Sequence, residues 1–234
     1  MQQIDIRLDA LRHQLATIPE VARLQEVAAK RAETQGRERD LRVEVSDLTD
    51  EQKKADRDVE AVKARRERDQ QMLDSGSVKN PKDAEHMLHE LETLARRISD
   101  LEDVEIDVME RLEEAQASLQ NATHDVAALD EQAAELTKAR DERAGDISRQ
   151  AAEATAERDQ TTADVPDDLL ALYTKLREQK GGVGAAALRA KQCEGCHLTL
   201  DASILRDIAA AAADEVLRCE ECGRILVRTS ESGL

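Results

Sequence analysis

Apolar residues recur at alternating spacings of three and four through Leu41, Val45, Leu48, Gln52, Ala55, Val59, Val62, Arg66, Asp69 and Leu73, a heptad seam with polar lapses. A second seam runs from Ala84 through Leu91, Leu94, Ile98, Leu101, Val108, Leu112, Leu119, Val126, Leu129, Leu136 and Arg143 to Ile147 without losing register. Such persistence predicts two long helices packed along their seams. A shorter seam, Leu8, Leu11, Leu15 and Ile18, slips phase near Pro19 and resumes at Leu24 and Val27, which predicts a local kink or stutter. Between the long seams, Asp74-Ser75-Gly76-Ser77-Val78-Lys79-Asn80-Pro81 is dense in turn formers and ends in a proline suited to the first turn of a helix. The chain is therefore expected to reverse at about 74–81 and to form an antiparallel coiled-coil hairpin over residues 1–160. Val45 is expected opposite Leu112, and Leu48 opposite Val108. At ~1.5 Å per residue each arm would be about 110 Å long. The seam is weakest where Arg31, Thr34 and Glu38 fall on it beside Gly36, so that stretch and Leu119 to Leu129 opposite should pack loosely.

Beyond the second arm the pattern weakens. Gln150 to Ala156 has helix propensity but little to bury, and the arm is expected to fray there. A new helix is expected in residues 161–180, opened by Asp164-Val165-Pro166-Asp167-Asp168 and closed by Gly181-Gly182. Leu169, Leu172, Tyr173 and Leu176 share one face, which docks this helix on the hairpin base or on the C-terminal segment. Tyr173, the one aromatic residue in the chain, reads as a packing anchor. From Gly181 the residues change character, and 181–234 reads as a separate small unit. Strands are expected at Val183 to Ala190 and His197 to Leu200, a short helix capped by Asp201 or Ser203 near Ile208, and a hairpin of Glu215 to Arg218 with Arg224 to Arg228 turning at Gly223.

Composition reinforces the division. With 36% charged residues, no Phe and no Trp, apolar area can be buried along a seam but hardly in a thick interior. No stretch approaches the 18 or more apolar residues of a membrane span, and the expectation is a soluble, cytoplasmic chain, a monomer or weak dimer. The net charge is -17, of which residues 181–234, with 6 basic and 8 acidic side chains, contribute only -2. An acidic rod repels phosphate backbones, so generic nucleic-acid affinity is disfavoured. The rival reading needs Arg189, Lys191, Arg206, Arg218, Arg224 and Arg228 to cluster on one face, where RNA or DNA could bind.

All the cysteines of the chain stand in two knuckles, Cys193-Glu194-Gly195-Cys196 and Cys219-Glu220-Glu221-Cys222. Two C-x-x-C turns can aim four thiolates at one point, as a tetrahedral Zn²⁺ requires; iron would also accept them. Redox chemistry would call for one such pair in a βαβ setting, and disulfides for a secreted chain, whereas Met1 opens directly on charged helical sequence. Cys193, Cys196, Cys219 and Cys222 are thus the expected ligands of one structural zinc, with His197 a neighbour. Four thiolates fill the shell and leave no place for an activated water. No nucleophilic triad or phosphate loop stands out, so the chain is not expected to be an enzyme.

The turn around Val78-Lys79-Asn80-Pro81-Lys82, the helix with Leu169-Leu170-Ala171-Leu172-Tyr173, and Gly-Gly-Val ahead of the two knuckles resemble the bacterial coiled-coil and four-cysteine zinc-ribbon family. The resemblance spans essentially the whole chain. It implies a long antiparallel coiled-coil hairpin followed by a C-terminal zinc ribbon, mainly α with a little β. In that family one branch serves flagellar biogenesis as a chaperone of an alternative sigma factor and a binder of flagellin message, and another is an interaction hub at a bacterial surface apparatus. The resemblance implies an adaptor or chaperone-like protein that presents its ribbon to a protein partner. The acidity of this chain departs from the message-binding branch.

Overall fold

Prolines open both long helices. The structure, a computed structural model, describes residues 1–234. It contains α1 (Gln2–Ala16), α2 (Pro19–Asp74), α3 (Pro81–Thr162), α4 (Asp167–Gln179), β1 (Ala185–Arg189), β2 (Gln192–Cys193), α5 (Ala202–Ala210) and β3 (Ile225–Val227). Pro19 and Pro81 each occupy a first helical position, where the missing N–H would have had no partner in any case. The reversal between α2 and α3 uses Gly76 at φ +67°, and Asn80 Oδ1 accepts the Lys82 N–H at 3.2 Å. The chain divides into two compact units, residues 23–136 and residues 1–22 with 137–234.

In the first unit α2 and α3 lie antiparallel. Val27, Leu48, Ala55 and Val59 from one arm and Leu91, Leu94, Ile98, Leu101, Val108, Leu112, Ala115 and Ala122 from the other are buried, as a heptad seam demands. Val45 and Leu112 belong to one cluster, as expected, but Leu48 packs with Leu112 and Ala115 rather than with Val108. The arms are thus offset by about one helical turn from the expected register there, as the pairs Arg31–Asp130 and Arg111–Glu51 also show. Arg31–Asp130, Lys63–Glu102 and Arg111–Glu51 bridge the arms. The expected loose stretch is present as a groove of about 590 Å³, with Thr34 and Arg37 on one side and Asn121, Ala122 and Leu129 on the other. Polar and small side chains on the seam leave that volume unfilled.

The second unit corrects several expectations. The last heptad slips: Arg143 turns outward to pair with Glu20, and Ala144 takes its place against Leu11, Ile18 and Ile147. Nor does the arm fray at Gln150, because α3 continues to Thr162. Ala154 is buried with Ile4 and Leu8 of α1, its small side chain letting the two helices approach. Leu15, at the end of α1, is exposed, because the chain leaves the seam there to make the expected break before Pro19. Pro166 stands immediately before α4 rather than inside it, and no side chain caps that helix.

The ribbon sheet has the order β2-β1-β3, and β3 runs parallel to β1. The second strand is Gln192–Cys193 and not His197 to Leu200, because His197 at φ +61° interrupts extended backbone; only Thr199 bridges back to Gln192. The expected hairpin about the second knuckle is reduced to one bridge between Arg218 and Ile225. The short helix follows Asp201, but neither Asp201 nor Ser203 makes a capping hydrogen bond, and it ends at Ala210.

A strap at the C-terminus holds an unfavourable turn. Ala190 and Lys191, between β1 and β2, both have positive φ, the conformation in which Asn-Gly is ordinarily found. Their N–H groups donate to the carbonyls of Glu231 and Ser232 at 2.8 Å each. The buried Ser232 hydroxyl donates to Leu188 O at 3.0 Å and accepts from Thr229 N–H at 2.8 Å. Ser232→Ala should therefore lower the local stability of β1 by about 1–3 kcal/mol, the cost of stranding buried partners. Amide exchange at Leu188 and Ala190 measures it, and unchanged protection would show that the strap bears no strain.

Candidate metal centre

Each knuckle is shaped by a backbone constraint that the spacing of its cysteines only hints at. In the first, the Glu194 N–H donates to Ala187 O at 3.0 Å and the His197 N–H to Cys193 O at 2.7 Å, anchoring the turn to β1. In the second, the Gly223 N–H returns to Cys219 O at 2.8 Å, with Gly223 at φ +71°, where a side chain would be strained. Gly195 is fixed by space instead. A Cβ there would stand 2.7 Å from Arg224 Cδ and 2.9 Å from Ala186 Cβ.

The four Sγ atoms of Cys193, Cys196, Cys219 and Cys222 lie within 4.8 Å of one another, and no other residue joins the set. Cys193–Cys222 and Cys196–Cys219 are 4.0 and 3.8 Å apart. A tetrahedron with metal–sulfur bonds of ~2.3 Å has edges of about 3.8 Å, so the donors fit one zinc ion. His197 is exposed and outside the cluster. Burial pushes Cys219 up to about 12; it also raises Cys222, but the backbone N–H and guanidinium of Arg224 outweigh it and bring that thiol down to about 7. A thiol so placed gives up its proton readily, and metal uptake by the full set releases protons. Around the donors, Ala186, Leu188, Leu200, Ile208 and Leu226 form a small core with Cys193 and Cys219.

The basic residues of the ribbon do not form a free face. Arg224 donates to Val183 O and Lys180 O at 2.9 Å each, and Arg228 to Ile208 O at 3.0 Å and Ala211 O at 2.7 Å. Arg218 donates to Gly223 O at 2.9 Å and Arg206 to Ala202 O at 3.2 Å. Arg189 pairs with Glu194 and Glu231. Each is engaged within the ribbon or at its junction with α4, and Lys191 alone of the six has no side-chain partner.

A second polar centre escaped the sequence reading. Asp5, 2% exposed, accepts from Tyr173 Oη at 2.6 Å and from Arg158 Nε at 2.7 Å, with Arg177 nearby and paired to Asp9. Tyr173 is thus the expected anchor, but by its hydroxyl as well as its ring, and its pKa is raised by burial and by the Asp5 carboxylate. One turn earlier, the Gln2 side chain donates to Gly182 O and accepts from Gly184 N–H, both at 2.8 Å. The first turn of α1 therefore ties α3, α4 and the ribbon entrance together.

Comparison with known proteins agrees with this geometry. Residues 1–181 match the model of the CT398-like coiled coil hairpin domain, and residues 192–226 that of the C4-type zinc ribbon domain. The Mycobacterium tuberculosis protein Rv2229c is 33% identical over 228 residues, 97% of this chain and 92% of that protein. ML1638 of Mycobacterium leprae is 25% identical, covering 96% of each. A solved structure from Mycobacterium smegmatis superposes with a TM-score of 0.76 at 32% identity, covering 97% of this chain and 94% of that one. The chain belongs to the CT398-like coiled-coil hairpin family and carries a C4-type zinc ribbon whose four cysteines suit one structural zinc ion.

Proposed function

We propose that the chain is a non-enzymatic adaptor whose ribbon is presented to a protein partner. The observation that carries this reading is the occupation of the ribbon's arginines by its own backbone carbonyls and carboxylates. Guanidinium groups committed in this way are poorly placed to replace counterions on a phosphate backbone. What the ribbon leaves exposed are instead Glu194, His197, Leu198, Val216, Glu220 and Val227. Leu198, Val216 and Val227 supply apolar area and the carboxylates a polar rim, the usual anatomy of a protein contact. A zinc whose shell is filled by thiolates supports the non-enzymatic reading.

Labelled RNA and duplex DNA, titrated at near-physiological salt, should bind no more tightly than nonspecific contacts do, at about 10⁻⁴ to 10⁻⁶ M. Affinity well below micromolar, lost on changing the exposed Lys191 and Arg206 to Ala, would overturn the adaptor reading in favour of nucleic acid. The positive test is a photo-crosslinking residue at Leu198 or Val227 in the native cell. Discrete protein adducts from these positions, absent from the same residue at Val43 of α2, are the expected result.

A further inference from the structure

The charge of the hairpin is concentrated on one stretch of α3. Between Asp100 and Glu114 the sequence has eight acidic residues and one basic residue, Arg111, so these 15 positions carry -7 of the chain's -17. Where the opposite arm could neutralise them, it does so only in part: Lys63 pairs with Glu102, and Arg111 is taken up by Glu51 and Asp107. Asp103, Glu110, Glu113 and Glu114 make no ion pair or side-chain hydrogen bond. They stand on the helix face turned away from the buried Leu101, Val108 and Leu112.

Of the three large apolar side chains exposed in this stretch, Val104, Ile106 and Met109, the last two lie beside Glu110 and Glu113. Ile106 is 53% exposed and Met109 40% exposed; being three residues apart, they are neighbours on the helix surface. Neither contributes to the seam. Other apolar residues of the two arms, Val43 and Leu88 among them, are also exposed, but Ile106 and Met109 lie side by side and are ringed by carboxylates whose mutual repulsion costs stability.

We infer that this face of α3, centred on Ile106 and Met109, is a docking surface for a basic amphipathic helix of another protein. Charge complementarity selects the occupant. A partner helix laid along α3 covers the apolar pair with its own apolar stripe and brings Lys or Arg at its flanks to Asp103, Glu110, Glu113 and Glu114. An unstructured polycation would meet the carboxylates but leave Ile106 and Met109 wet, and a neutral helix would leave the carboxylates opposed to nothing. The surface belongs to the hairpin and not to the ribbon, so its test can fail without affecting the adaptor reading of the ribbon.

The probe is a fluorescent peptide about five turns long, built of Leu and Lys with helical periodicity, against a scrambled peptide of the same composition. At near-physiological salt the periodic peptide should bind the full chain about ten-fold more tightly than the scrambled one. Ile106→Ala with Met109→Ala should remove that advantage; both positions are exposed and Ala preserves the helix. Asp103→Asn, Glu110→Gln and Glu113→Gln together should weaken binding by about ten-fold and flatten its salt dependence. The control neutralises the same number of exposed carboxylates elsewhere, Glu153→Gln, Asp164→Asn and Asp214→Asn, and should leave binding near that of the parent. Equal binding of both peptides, or equal damage from the control, would overturn the proposal. So would self-association of the chain abolished by the apolar double variant while peptide binding persists, since the face would then serve a second copy.

Discussion

Cys219→Ser should unfold the ribbon and leave the helices standing. The ribbon core consists of seven buried residues, two of them the ligands Cys193 and Cys219, and so small a core cannot offset the entropy of ordering the segment. Structural zinc contributes roughly 10–16 kcal/mol to folding in small zinc domains, more than a whole domain of this size ordinarily has in reserve. Removing one thiolate opens the shell and forfeits most of that. Elemental analysis should find about one zinc per chain in the parent protein and far less in the variant. Far-UV circular dichroism should change little, because α1 to α4 carry nearly all the helix. Amide exchange should show β1 and β3 unprotected in the variant. A freshly purified, reduced parent protein free of metal, or a variant whose β1 stays protected, would contradict the assignment.

Asp5→Ala should be the most damaging substitution outside the ribbon. The carboxylate is buried and receives the Tyr173 hydroxyl and the Arg158 guanidinium, so truncation strands two donors and leaves Arg158 and Arg177 without their buried counter-charge. Loss of one partner from a buried ionic centre costs about 3–5 kcal/mol, and urea titration followed by Tyr173 fluorescence should show it. The acid dependence has its origin in the same contacts. Burial raises the Asp5 pKa, but the hydrogen bonds from Tyr173 and Arg158 and the charges of Arg158 and Arg177 outweigh it and hold the group below its ordinary value of 3.8. A carboxyl depressed in the folded state stabilises above its unfolded pKa, and that contribution is lost as the pH falls through the folded value. The parent should lose stability below about pH 4 more steeply than Asp5→Asn, which has no charge to titrate there. Parallel curves for the two proteins would remove Asp5 from this role.

The hairpin was legible because a heptad seam is a periodic signal: Leu48, Leu112 and their neighbours announce both the helices and the buried face. Its register was less so. Side-chain periodicity fixes which face is buried but not how far one arm slides along the other, hence the turn of difference at Leu48. The weak seam at Thr34 could be read because polar residues on an apolar stripe are a local fact. The cysteines were legible for the same reason, through a spacing that chemistry constrains. What could not be read depends on long-range geometry. The parallel pairing of β1 with β3 joins segments some 40 residues apart, and the strap at Ser232 meets β1 across a similar distance. Asp5 is one acidic residue among 51, and nothing local distinguishes it from the solvated ones. Its only signal in the chain is the solitary Tyr173, a buried phenol in need of an acceptor.

The anchoring of the first turn of α1 also sets an order on how the chain matures as it is made. Gln2 takes its partners from Gly182 and Gly184, and Asp5 takes one from Arg158, separations of 180, 182 and 153 residues. On the ribosome, α2 and the early part of α3 can close around their turn as soon as they emerge, since Arg65 and Glu90 lie only 25 residues apart. Helix α1, though made before them, has no apolar face to dock on until Ala144 to Ala154 of α3 have been translated. At roughly 5–20 residues per second Ile4 and Leu8 wait about eight to thirty seconds for Ala154, their buried partner in the finished fold.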